Sequence, residues 1–197
     1  MEAETTLREK KKAQTRDALV ASAWELFSRV GFDETTVDDI AQQADVSRRT
    51  FFRYFATKES VVFPRHDEQL EQFQALLAAP HAGETPYMTV RRACVAIARE
   101  YMSLRAEMEV QRQVIEASPR LIAYDVQLDQ SWEDAIADTL TRDGTSRRIA
   151  SIEAGALLGM IRAVSREWLA ADICGDLPAL GAAAFDHLAR GLGRRER

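Results

Sequence analysis

The chain has 197 residues, 46% hydrophobic and 29% charged, which is enough apolar material for one good core or two small ones and too much for a disordered chain. Two distant cysteines, Cys94 and Cys174, exclude a disulfide framework and a zinc site, and the lead MEAETTLREKKKAQ lacks the apolar run of a signal peptide. The formal net charge of −5 argues against nucleic acid if taken whole, yet phosphate contacts need only a local cationic footprint.

Few glycines and prolines, with no sustained period-two alternation, predict an all-α chain of about nine helices. Residues 1–12 carry charge without apolar period and are expected to form a flexible basic arm, whose Lys10, Lys11 and Lys12 suit a phosphate path. Helix one is predicted from about Ala13 to Val30, with Leu19, Ala23, Phe27 and Val30 on one stripe. Gly31 then stops it as a left-handed cap, and Phe32 folds back against it.

From Thr36 to Phe55 the sequence reads TVDDIAQQADVSRRTFFRYF, two short helices around a tight turn. In the first, Val37, Ile40, Ala41 and Ala44 recur at helical spacing, Thr36 caps, and Asp38 and Asp39 occupy the first turn, where the helix dipole favours carboxylates. Asp45 follows the stripe, and aspartate is among the few side chains that tolerate the left-handed conformation of such a turn. Ser47 caps the second helix, whose Phe51 and Phe55 lie four apart on a buried face with Val46. Arg48, Arg49, Thr50, Phe52, Arg53 and Tyr54 are left outside. The arginine fork matches the two acceptors of guanine in the major groove, threonine reads either type of edge, and an exposed aromatic rests on a thymine methyl. In isolation such a helix would read as a basic surface held by ion pairs; the helix and turn before it make it a base-reading surface.

The residues from ALVASAWELFSRVGFDETTVDDIAQQADVS through RRTFFRYFATKES resemble the TetR family of transcriptional regulators. One departure is Asp45, where glycine is usual in the family. The resemblance implies a three-helix helix-turn-helix DNA-binding domain over residues 13–58, followed over 59–197 by a helical ligand-binding and dimerisation domain. It also implies base contacts from Arg48, Arg49, Thr50 and Phe52, and phosphate contacts from Thr36, Ser47, Arg53, Tyr54 and Lys58. Partners would be a double-stranded DNA operator, an unknown small-molecule effector and a second copy of the chain, in the cytoplasm and without a membrane.

Pro64 falls where the family continues its fourth helix, so the helix either kinks there or restarts with proline in the first turn, which Asp67 and Glu68 would suit. After the loop Ala79–Glu84, the positions Tyr87, Val90, Cys94, Ile97, Tyr101 and Leu104 form a buried seam. A helix follows over Glu107–Ala117, and Ser118-Pro119 opens another carrying Leu121, Tyr124, Leu128, Trp132, Ala135 and Thr139. After the turn at Arg142–Thr145, a long helix runs from Ser146 to about Ala171, with Gly155, Gly159 and Ala163 recurring every four residues. The last passes through Leu180, Ala184, Leu188 and Leu192. By resemblance these two helices are the dimerisation pair; packing within one chain accounts for the small-residue stripe equally well.

Tyr87, Tyr101, Tyr124, Trp132 and Met160 are candidates for an effector pocket or are simple core. Arg91, Arg92, Arg99 and Arg112 would suit an anion if turned inward, and ion pairs with water around them are the expectation. The stretch QRQVIEASPRLIAYDVQLDQSWEDAIADTL resembles the C-terminal domain of mycofactocin-type regulators, through Arg112, Glu116, Pro119 and the later Trp168. His66, His81 and His187 have no ligand spacing, and no phosphate loop or nucleophile elbow occurs, so no metal, cofactor or catalytic residue is expected. A competing reading is a helical small-molecule-binding enzyme that retains a vestigial helix-turn-helix.

Overall fold

The structure, a computed structural model, describes residues 2–170 and 175–191, with side chains from residue 10 onward. Cys174 and the predicted helix end at Leu192 lie outside the described residues. The regular elements among them are all helices: α1 (Glu2–Val30), α2 (Val37–Gln43), α3 (Arg48–Tyr54), α4 (His66–Ala78), α5 (Pro86–Tyr101), α6 (Arg105–Glu116), α7 (Pro119–Leu140), α8 (Arg147–Ala170) and α9 (Leu177–Ala189). They fall into two compact units, one of Met1–Arg65 with Val110–Asp125 and the other of His66–Glu109 with Val126–Arg197. The sequence-based boundary at residue 58 misses the return of the chain to the first unit.

In the first unit α1 begins at Glu2, not near Ala13. The lead that reads as an arm is rich in Glu, Lys, Arg and Ala and has neither proline nor glycine, so the helix propagates through it. Leu19, Ala23, Leu26 and Phe27 of α1 are buried, whereas Val30, predicted on that stripe, is exposed and Leu26 takes its place. Gly31 adopts φ +90° and its N–H donates to Phe27 O at 3.0 Å. Phe32 folds back as expected, its ring 5.1 Å from that of Phe27.

A capping box opens α2: Thr36 Oγ1 accepts from Asp39 N at 3.1 Å while Asp39 Oδ2 accepts from Thr36 N at 2.9 Å. Its end is closed by Asp45 at φ +53°, with Asp45 N–H donating to Gln42 O and Val46 N–H to Ala41 O. Ser47 then accepts from Thr50 N at 3.1 Å and starts α3. Phe51, fully buried, packs its ring 5.7 Å from Phe55 in a core that also holds Ile40, Val61, Val62, Val114 and Leu121. Burying one such side chain contributes about 1.5–3 kcal/mol.

Pro64 marks a restart and not a kink, but it stands in the turn before the new helix and not in its first turn. A 3₁₀ turn over Glu59–Val62 ends before it, and α4 starts at His66 with Asp67 and Glu68 in its first turn. In the second unit, Phe73, Leu77, Val90, Ala93, Ile97, Ile136, Leu140, Ala154, Leu157 and Phe185 form the core. The last carbonyls of α4 have no helical partners and are met by arginines: Arg142 donates to Leu77 O at 2.6 Å, and Arg92 to Leu76 O and Ala79 O. Trp168 Nε1 donates to Gly175 O at 2.9 Å in a smaller cluster with Leu169 and Leu177.

A non-glycine residue in the left-handed region costs stability, less for aspartate than for a branched side chain. Asp45→Gly is expected to raise the stability of the first unit by up to about 1 kcal/mol, and Asp45→Val to lower it by about 1–2 kcal/mol, read as opposite shifts of the urea midpoint.

Candidate nucleic-acid interface

At 100° per residue, positions 48, 49, 52 and 53 of α3 fall within an arc of about 140°, opposite buried Phe51. Their side chains are exposed. Arg48 Nη1 donates to Asp38 Oδ2 of α2 at 2.7 Å, and its guanidinium lies 5.5 Å from the ring centre of Phe52. Phe52, 44% exposed, meets Phe51 edge to face at 5.4 Å. Among the described residues Arg49 makes no ion pair or hydrogen bond. Arg53 stacks 5.1 Å from the ring of Tyr54, which is half-buried against the core.

The predicted hydroxyl contacts are already committed in part. Thr36 Oγ1 donates to Asp39 Oδ2 at 2.6 Å, and the hydrogen bonds from the Thr36 side chain, then from its backbone, hold the Asp39 carboxyl below the usual carboxylate range. Ser47 Oγ lies 2.9 Å from Thr50 Oγ1, so Thr50 is half-buried and turned toward the cap and not fully toward the exposed arc.

Lys58 has partners other than the phosphate the family resemblance implies. Its ammonium donates to Phe32 O and Thr35 O, both at 2.8 Å, with Asp33 O at 3.4 Å, and sits 4.1 Å from the ring centre of Phe32. Three donors are thereby spent on the loop between α1 and α2. Burial, and next the nearby Arg120 cation, lower its pKa, against opposing carboxylates at Asp33, Glu59 and Glu34. Beside it, buried Glu59 pairs with Arg120, Gln111 Nε2 donates to Val62 O at 2.8 Å, and Ser118 Oγ donates to Asp33 at 3.4 Å. None of these contacts was predicted, and their partners stand too far apart in the chain for any spacing rule to reveal them.

The proposed pocket residues separate. Tyr124 belongs to the first unit, its ring 5.6 Å from Phe63, whereas Tyr87, Tyr101, Trp132 and Met160 pack against the second core. A long helix such as α7 serves two cores, which periodicity alone does not show. Tyr87 donates to Phe185 O at 2.6 Å, Tyr101 to Gln69 Oε1 at 3.2 Å, and Trp132 stacks on Phe73 at 4.9 Å. Burial pushes the Tyr101 phenol and the Cys94 thiol each up to about 12, leaving the thiol a packing group without nucleophilic character. The arginines expected in ion pairs include Arg91 with Asp186, Arg92 with Glu84 and Arg112 with Glu116. Glu84 is accordingly held below the usual carboxylate range, first by its hydrogen bond from Arg92.

The predicted dimer residues divide as well. Gly155 faces Glu133 of the same chain, where an added Cβ would make ordinary contact at 3.5 Å, and Leu188 packs against the core. Ala163 and Ala184 are half-buried, while Gly159 and Leu180 are exposed. Ile149 and Ile152 of α8 are 48% and 65% exposed and were missed, although with Ala156 and Gly159 they make a stripe at alternating threes and fours. Among the described residues no cluster suits a metal ion and no helix is long and apolar enough to cross a membrane.

Residues 19–63 match the family described as bacterial regulatory proteins, tetR family, and residues 84–193 match the MftR C-terminal domain. The HTH-type transcriptional regulator TcmR of Streptomyces glaucescens is 34% identical over 193 residues, covering 90% of this chain and 82% of that protein. The putative mycofactocin biosynthesis transcriptional regulator MftR of Mycobacterium tuberculosis is 31% identical over 175 residues, covering 87% and 88%. The fold is shared with FadR of Thermus thermophilus, a TetR family transcriptional repressor solved with lauroyl-CoA, at TM-score 0.60 and 24% identity over 92% of this chain and 97% of that one. A helix-turn-helix followed by a second helical unit therefore defines a DNA-binding regulator of transcription, and the chain belongs to the TetR family. Its C-terminal part is of the MftR type. These relatives are regulators by name, and the enzyme reading is set aside on that ground.

Removing a phosphate contact flattens the dependence of log affinity on log salt by about one unit. Because the Lys58 ammonium is spent on carbonyls, Lys58→Met is expected to lower the unfolding midpoint of the first unit while leaving the salt slope of DNA binding unchanged, as salt titrations of both proteins would show.

Proposed function

We propose that the protein is a ligand-responsive repressor that binds a palindromic operator as a homodimer in the cytoplasm. The observation that carries this reading is the exposed arc of Arg48, Arg49, Phe52 and Arg53 on α3, held outward by Phe51 in the core. Arg48 and Arg49 read guanine edges, Phe52 contacts a thymine methyl and Thr50 supports the neighbouring base contact from its half-buried position. Thr36, Ser47, Arg53 and Tyr54 serve the phosphates, which fix register and carry no sequence information themselves.

A single α3 reads only a few base pairs, so specificity calls for two copies on half-sites about 34 Å apart or a multiple of that. The exposed Ile152, Gly159 and Leu180 on α8 and α9 supply an apolar face for self-association, and the small residues among them let helices approach closely. An effector held by the second unit would act by favouring a dimer whose two α3 helices no longer match that spacing. Tyr87, Tyr101, Trp132 and Met160 are the side chains of that unit nearest to such a role; Tyr124 is not among them.

Selection from random duplex DNA at physiological salt is expected to return a palindrome bound about 10³-fold or more tightly than scrambled DNA. Arg49→Ala should cost about 1–3 kcal/mol on that palindrome and relax one base pair in each half-site. Equal loss on operator and random DNA would remove Arg49 from the readers. In the same series Ile152→Glu is expected to give monomers by sedimentation and to lose the palindrome; a variant that stays dimeric would place the interface elsewhere.

A further inference from the structure

The Arg48 side chain is not loose. Its Nη1 is held by Asp38 Oδ2 at 2.7 Å and its plane lies 5.5 Å from the centre of the Phe52 ring, while the remaining guanidinium donors stay open toward solvent. Each of these supports is itself fixed. Phe52 is set edge to face on the fully buried Phe51, at 5.4 Å and 84°. Asp38 stands in the first turn of α2, whose start is locked by the reciprocal bonds between Thr36 and Asp39. The pair joins the two helices of the motif, yet both side chains are about 60% exposed (60% and 62%). An ion pair so exposed adds almost nothing to folding stability. A carboxylate on a surface that must meet phosphates also repels them, so stability and general affinity both fail to explain it.

What the pair does supply is orientation. An exposed arginine samples many rotamers and loses that freedom on binding, and a group already held in its bound pose gives up less. We propose that Asp38 is a positioning residue for sequence readout: with the Phe52 ring it holds the Arg48 guanidinium in one pose, so that its unpaired edge meets a guanine, and it trades general DNA affinity for preference at that base pair. This rests on Arg48 being a base reader, as proposed above.

The two ideas are separable by a mutant cycle on the selected operator and on its variants at each base pair. Arg48→Ala is expected to relax one base pair per half-site by about 5–150-fold. Asp38→Asn, isosteric and exposed, is expected to relax the same base pair by about threefold or more, to bind random DNA more tightly than the parent because one repelling charge is gone, and to lower the unfolding midpoint only slightly, through the loss of one carboxylate from the first turn of α2. A merely structural aspartate would lose its repelling charge just the same, so the readout that separates the two roles is relaxation confined to the base pair that Arg48 reads. In the Arg48→Ala background, Asp38→Asn should have no further effect at that base pair. If Arg48→Ala relaxes one base pair and Asp38→Asn does not, the positioning role is overturned while the reader stands. If Asp38→Asn weakens all sequences alike, Asp38 is a general support of the motif and the proposal fails. If Arg48→Ala relaxes no base pair, Arg48 is not a reader and both ideas fall together.

Discussion

A helix of seven residues closes too few hydrogen bonds to offset the cost of its first turn, and α2 and α3 are both that short. They persist because each is capped at its start and buries apolar residues in a shared core: Ile40 and Ala41 from one, Phe51 from the other. Everything on the outer face of α3 inherits its direction from that burial. Were Phe51 not seated, Phe52 would have no ring to stand on and Arg48 no second support.

The parts of this arrangement that depend on near neighbours in the chain were open to reading in the sequence. Thr36, Ser47, Gly31 and the turn at left-handed Asp45 act on backbone groups three to five residues away, so residue type and spacing are enough to place them. The buried seam of α5 and the start of α7 at Pro119 have the same local character. The candidate readers followed, since burial of Phe51 leaves only one face of α3 outside. Lys58 shows the opposite case. The family resemblance implies a phosphate for it, but its carbonyl partners lie more than twenty residues upstream, and no pattern announces them. The contacts of Tyr124 and Glu59 are of the same kind: what they touch is set by where the chain returns and not by what surrounds them in sequence.

Charge is partitioned in a way that reconciles an acidic chain with an anionic partner. In the second unit several arginines are matched closely, Arg91 to Asp186 and Arg92 to Glu84, and Arg92 is also spent on the end of α4. On α3 Arg49 has no such match, and Arg48 shares a single nitrogen. The excess of acid lies in the second unit, while α3 presents cations on an element that the caps hold rigid. A net charge of −5 then disfavours indiscriminate adhesion to DNA without weakening the local site.

The return of the chain to the first unit has an evolutionary edge. Val114 and Leu121 share one core with Val61, Val62 and Phe51, although they are encoded well past α5. A fragment ending at Arg65 would expose the valines of the 3₁₀ turn and leave buried Glu59 without Arg120. The reading head is therefore not a cassette that recombination can move by a single crossover. A lineage that exchanges its C-terminal half must acquire, within the incoming piece, a short amphipathic stretch that already fits the old core, and this ties the inheritance of the two halves more tightly than their separate cores would suggest.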